Sequence, residues 1–211
     1  MDWMQQIDAY CERTGPAYWA EPVNALSNAA FVIAALIAWR RTRGLALGRA
    51  LSVVLGAIGV GSFLFHTHAT AWAGVADVVP IMGFILLYLY AANRAFWGLG
   101  RGTALGLSAL FVPFAALLAP LFALIPGLGS SAGYGPVPLV ILIYAALLGR
   151  RAPETARGLA LGAGLLILSL GFRTLDGPLC ATLPLGTHFM WHLVNATMLL
   201  WMIEVYRRAR V

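Results

Sequence analysis

Residues Ala46–His66 read ALGRALSVVLGAIGVGSFLFH: 21 residues with one charge near the start and a histidine at the end. At 1.5 Å per residue a helix of that length rises about 30 Å, the depth of a bilayer's hydrocarbon core. Working outward, similar stretches lie at Pro22–Trp39, Val75–Ala92, Thr103–Ile125, Pro136–Leu148, Ala156–Gly171 and Gly186–Tyr206. The fifth and sixth are short, and Pro113, Pro120 and several glycines interrupt the fourth. The whole chain of 211 residues is 61% apolar and only 10% charged. A soluble domain is about half apolar and about a quarter charged, and one of this size has no interior large enough for the excess. Two Cys, with 23 Gly and 11 Pro in no periodic order, exclude a disulfide scaffold, collagen and disorder. No linker divides the chain, and no internal repeat supports an inverted-repeat transporter. The expectation is an all-α integral membrane protein, a seven-transmembrane helix bundle. It divides into an extracytoplasmic N-terminal segment 1–21, a helical domain 22–206 and a basic tail 207–211.

Charge placement predicts the orientation. The 14 basic residues are all Arg, so no Schiff-base lysine exists and a retinal protein is excluded. Arg40, Arg41, Arg43, Arg49, Arg94, Arg101, Arg150, Arg151, Arg157, Arg207, Arg208 and Arg210, 12 of the 14, fall on one side if there are seven spans. That side is cytoplasmic by the positive-inside rule. The N-terminal segment, with Asp2, Asp8, Glu12 and Glu21 against Arg13, then lies outside and the C-terminus inside. The segment lacks a basic n-region and an early apolar h-region, so no cleavable signal is read. Arg-only basic usage and Ala/Gly/Leu richness suit a GC-rich bacterial genome. The expected location is a bacterial inner membrane with the polar cluster facing the periplasm.

Polar residues at membrane depth are costly and mark function. His66 and His68 close the second span, His188 and His192 open the seventh, and Asp77 opens the third. All these ends face outward in the expected topology. His188 and His192, four residues apart, share a helix face. With His66 they supply three imidazoles and leave a fourth position for water, the pattern of a catalytic Zn²⁺ site. Asp77 is the candidate general base and acid, and Ser62 the candidate donor to a developing oxyanion. Such an assembly suits hydrolysis of a lipid amide or ester. The plainer readings are hydrogen bonding of the His pair between helices, Asp77 as a helix cap, and close packing for Ser62 beside Gly59 and Gly61. His68 reads as a solvated turn residue, and Glu204 as a partner of Arg207 or Arg208. Trp39, Trp72, Trp97 and Tyr206 read as interface anchors. Cys11 and Cys180 lie on the same oxidising side, either paired or as two free thiols. Asp8, Glu12 and Glu21 are either ligands for a hard cation or a topology signal.

Several groups of residues stand in a telling order. They are Tyr10-Cys11-Glu12, Glu21-Pro22-Val23-Asn24 leading to Ser27-Asn28, Ser62-Phe63-Leu64-Phe65-His66, Asp77-Val78-Val79-Pro80, Asp176 with Cys180, and His188-Phe189-Met190-Trp191-His192. Together they resemble the alkaline ceramidases, part of a seven-span superfamily that includes the adiponectin and progestin receptors. The resemblance implies zinc on His66, His188 and His192, Asp77 as base and acid, Ser62 at the oxyanion and a Cys11–Cys180 disulfide. It also implies Ca²⁺ held by the N-terminal segment, with Glu12 and Glu21 at matching acidic positions. Ala9 and Thr14 depart from that pattern, where the family tends to have Asp and Asn. Asn24, Ser27 and Asn28 read as hydrogen-bonding supports of the first helix, and Trp191 stands inside the terminal motif. The resulting expectation is a zinc-dependent intramembrane hydrolase cleaving ceramide into sphingoid base and fatty acid, with membrane lipid its only implied partner and no nucleic acid. The alternatives are a hydrolase of another lipid amide or ester, a lipid receptor or sensor, and b-type haem electron transfer. The short loops count against a receptor, and haem leaves Asp77 and Ser62 without a role.

Overall fold

The structure, a computed structural model, describes residues 2–210. Among the described residues every long element is helical, and extended backbone pairs only in a bridge between Gln6 and Thr70. Seven rods form. The first is α1 (Pro22–Ser27) with α2 (Ala29–Arg41); α3 (Ala46–His68) and α4 (Ala71–Phe96) follow. The fourth is α5 (Arg101–Ala109) with α6 (Phe111–Ala123). The fifth joins a 3₁₀ turn (Gly129–Tyr134) to α7 (Pro136–Leu148), and α8 (Pro153–Leu179) and α9 (His188–Arg208) complete the set.

Sequence chemistry accounts for the breaks. Pro113 has no N–H for the Ala109 carbonyl and its ring crowds that carbonyl, so α5 stops at Ala109. Among the described residues, six rods are long and apolar enough to cross a bilayer. The seventh, α9, is 21 residues long but carries His188, His192, Asn195 and Glu204, all buried against its neighbours. The outer surface is apolar, with Leu117, Leu124 and Leu147 74%, 77% and 67% exposed. Helices apolar all round fit a lipid setting. The bundle interior is filled by Phe31, Leu51, Leu55, Ile58, Leu159 and Ile203. Glycines set the close crossings. A Cβ on Gly59 would lie 2.9 Å from the Phe31 Cβ, and one on Gly158 would lie 2.8 Å from Val205 Cγ2.

The N-terminal segment caps one end of this bundle. Ile7 N–H donates to the Ala69 carbonyl (2.7 Å) and Ala71 N–H to the Gln5 carbonyl (3.0 Å), laying the segment along the α3–α4 turn. Cys11 and Cys180 are disulfide-bonded, with Cα atoms 5.4 Å apart. Asp176 reinforces that seam. Its Oδ2 accepts from Cys11 N–H (2.9 Å), and its Oδ1 from the Thr187 (2.7 Å) and His188 (2.9 Å) amides at the start of α9. A Cβ on Gly186, at φ +67°, would strike that carboxylate.

Several expectations need correction. The third helix starts at Ala71, not Val75, so Asp77 lies more than a turn inside it and cannot cap it. The sixth runs through Leu179 instead of ending near Gly171, with Asp176 buried in the added turns. The first is two helices meeting at Asn28, and α9 continues two residues into the stretch read as a tail. Tyr206 is buried in the core and is no interface anchor. His68 ends α3 half-buried, its ring 5.2 Å from Tyr18 and 5.1 Å from Trp72. Glu204 pairs as expected, with both Arg207 (2.8 Å) and Arg208 (2.9 Å).

Candidate metal centre

The end of α3 and the start of α9 meet beneath the N-terminal segment. There His66, His188 and His192 each offer one ring nitrogen, and these atoms lie within 4.8 Å of one another. All three rings are buried, at 1%, 2% and 1% exposure. Unpaired polar groups at that depth are expensive unless something satisfies them.

Two of the rings are fixed from behind. His66 Nδ1 lies 2.6 Å from Glu21 Oε2, so it donates there and leaves Nε2 with its lone pair. Burial would raise the Glu21 pKa, but hydrogen bonds from His66, Arg13 and Asn24 outweigh it and hold the carboxyl below its ordinary value. His192 Nδ1 lies 2.7 Å from Ser27 Oγ. That hydroxyl has one proton and gives it to the Asn24 carbonyl (2.8 Å), so His192 must be the donor to Ser27. His192 Nε2 and His188 Nδ1 are buried without a hydrogen-bond partner. Three imidazoles, two of them held in this way with the nitrogen away from the shared centre protonated, fit a divalent ion such as Zn²⁺, whose His ligands are neutral and commonly backed by outer hydrogen bonds. Asn28 Nδ2 also donates to the Asn24 carbonyl (2.9 Å), so Asn24, Ser27 and Asn28 form one bonded set behind His192. The Tyr10 ring stacks on His188 at 3.6 Å, closing the outer side, and burial keeps its phenol neutral by pushing its pKa up.

Close helix packing brings in α4. A Cβ on Gly61 would run into the Ala76 carbonyl and sit 3.2 Å from the Asp77 amide, so only glycine lets α4 approach there. The next residues on the two helices, Ser62 and Asp77, thereby become neighbours, and the Asp77 carboxylate lies in the field of His66 and Arg173. Ser62 is buried, Asp77 half-buried.

Arg173 was absent from the sequence expectation. Its guanidinium lies 5.7 Å from the Tyr10 ring, 5.3 Å from Tyr134 and 5.9 Å from Trp191, and 3.4 Å from Ser130 Oγ. Trp191, buried between the two α9 histidines, is thus a wall of this cation's berth. Arg13 was equally unforeseen. One signal marked both: they are the two arginines outside the set of twelve that the sequence reading expected on one side of the membrane.

Glu12 and Glu21, expected as calcium ligands, turn their oxygens to hydrogen bonds within the chain. Glu12 Oε1 and Oε2 accept from the Val23 (2.7 Å) and Asn24 (2.8 Å) amides at the start of α1. Glu21 Oε1 accepts from Arg13 Nε (2.5 Å), and Oε2 from His66 and from Asn24 Nδ2 (3.1 Å). Asp8 is exposed. Ca²⁺ takes six to eight oxygens, whereas the histidine triad is, among the described residues, the one group of three or more His, Cys, Asp or Glu side chains close enough to share an ion.

The family model described as Ceramidase matches residues 7–210. The chain belongs to the ceramidase family. No curated protein matches it. Family membership covers the N-terminal segment as well as the bundle, and it implies a hydrolase acting on amide bonds with a lipid substrate.

Proposed function

We propose that this ceramidase-family protein is a zinc-dependent intramembrane hydrolase that cleaves ceramide into sphingoid base and fatty acid. The observation that carries the reading is the orientation of the three buried imidazoles. Glu21 and Ser27 hold two of them so that their remaining nitrogens turn toward one shared centre.

His66, His188 and His192 would hold the ion, which when bound polarises an amide carbonyl and acidifies a water molecule. Asp77 accepts a proton from the attacking water and delivers it to the amide nitrogen. The carbonyl carbon gains a bond to oxygen, the C–N bond breaks, and a carboxylate and a free amine leave. Ser62 donates its hydroxyl proton toward the carbonyl oxygen as negative charge develops. Arg173, set among three rings, offers countercharge to the carboxylate product. An apolar cleft of about 570 Å³ between α6, α7 and α8, reaching Ser131 and Thr174, is suited to an acyl chain. The chain crosses the membrane seven times, N-terminus outside and C-terminus in the cytoplasm, with the site on the outer side, the periplasmic one in a bacterial inner membrane. The disulfide and the cytoplasmic Arg set support this orientation.

The deciding experiment uses purified protein whose metal content has been measured. It is incubated with a panel of ceramides, N-acyl amides and lipid esters, and products are read by mass spectrometry. Ceramide turnover that tracks bound zinc is the expected result. Release of acyl chains only from other lipids would reassign the substrate, and a zinc-loaded protein that cleaves nothing would overturn the hydrolase reading.

A further inference from the structure

We infer that the guanidinium of Arg13 does the work of a structural cation in the N-terminal segment, so that this protein closes its site without calcium. Arg13 is buried, and its ion pair with Glu21 leaves each side chain only 3% exposed. Its donors fan out to three oxygens from three parts of the chain. Nε reaches Glu21 Oε1 (2.5 Å) at the start of α1, and Nη1 the Gly15 carbonyl (2.9 Å) in the N-terminal segment. Nη2 reaches the carbonyl of His66 (3.0 Å) at the end of α3. One carboxylate and two main-chain carbonyls are the donors a hard cation takes, and here they converge on a planar fork that matches them.

The remaining acidic oxygens are engaged as well. Both Glu12 oxygens cap α1, and Glu21 Oε2 holds the His66 ring. A calcium ion entering this site would have to displace the guanidinium, and beside it would meet a like charge in a buried setting. Without Arg13, the Glu21 carboxylate would keep only His66 and Asn24, and the buried His66 carbonyl and half-buried Gly15 carbonyl would lose this donor. Arg13 is therefore a positioning residue: it touches no reacting atom, but steadies Glu21, which orients His66. The inference concerns the N-terminal segment and does not depend on the hydrolytic reading.

The test needs no substrate. Wild-type protein purified in calcium-containing buffer and passed through gel filtration is analysed by inductively coupled plasma mass spectrometry, and its melting temperature is followed during calcium titration with zinc held constant. Substoichiometric calcium and a melting temperature unmoved by millimolar calcium are expected. One equivalent of calcium per chain, or a rise in melting temperature saturating with calcium, overturns the inference. Arg13→Ala supplies the converse, a lower melting temperature that millimolar calcium raises. If Arg13→Ala melts like the wild type with or without calcium, the guanidinium is not the clamp and the inference is also overturned. Should that variant fail to fold, the wild-type calcium content still decides.

Discussion

Ser27→Ala tests the fixation of His192 with the smallest change. The wild-type hydroxyl donates to the Asn24 carbonyl at 2.8 Å and accepts from His192 Nδ1 at 2.7 Å. Alanine leaves a buried imidazole N–H unpaired, worth about 1–3 kcal/mol, and removes one helix-backing bond worth about 1 kcal/mol. The ring is then free to turn or to move its proton to the nitrogen that should face the metal. Loss of such an outer partner lowers metal affinity about 10–100-fold, or about 1.4–2.7 kcal/mol. Zinc-free protein in detergent is titrated against a chromophoric zinc chelator, while turnover is measured at saturating zinc. The expected pattern is weakened zinc binding with most of the turnover restored by excess zinc. A variant that melts earlier but binds zinc as tightly as the wild type refutes the tautomer argument, because Ser27 would then support only α1.

Asp77→Asn should retain zinc and lose about 10²–10⁴-fold in kcat, the usual worth of a positioned acid–base group; near-normal turnover removes that role. Arg173→Ala should relieve inhibition by free fatty acid about tenfold, or about 1.4 kcal/mol. Arg173→Lys should recover little, since an ammonium lacks the planar fork that pairs with a carboxylate through two parallel bonds. Product inhibition unchanged in both variants would free Arg173 of the carboxylate. Cys11→Ser opens a cross-link between residues 169 apart in sequence and should cost about 2–4 kcal/mol of stability. An oxidised wild type and variant melting together would show that Asp176 alone holds the seam.

The membrane character, the number of rods and the identity of the three histidines were legible in the linear chain. Each rests on local properties: apolar length, Arg spacing, and two histidines four apart on one helix. Helix ends were less legible. The turns Thr174–Leu179, which hold a Gly and a Pro, stay helical where Asp176 and the disulfide tie them to the N-terminal segment and α9. Glu21 and Arg13 show the limit most clearly. In sequence they read as an acidic position and a stray basic one. Folding places them 2.5 Å apart, behind a histidine 45 residues beyond Glu21. A local pattern reports what a residue offers, because hydropathy and helix periodicity act over a few turns. Which partner takes up that offer depends on rods remote in sequence touching, and at Gly61 that contact exists only because a side chain is missing.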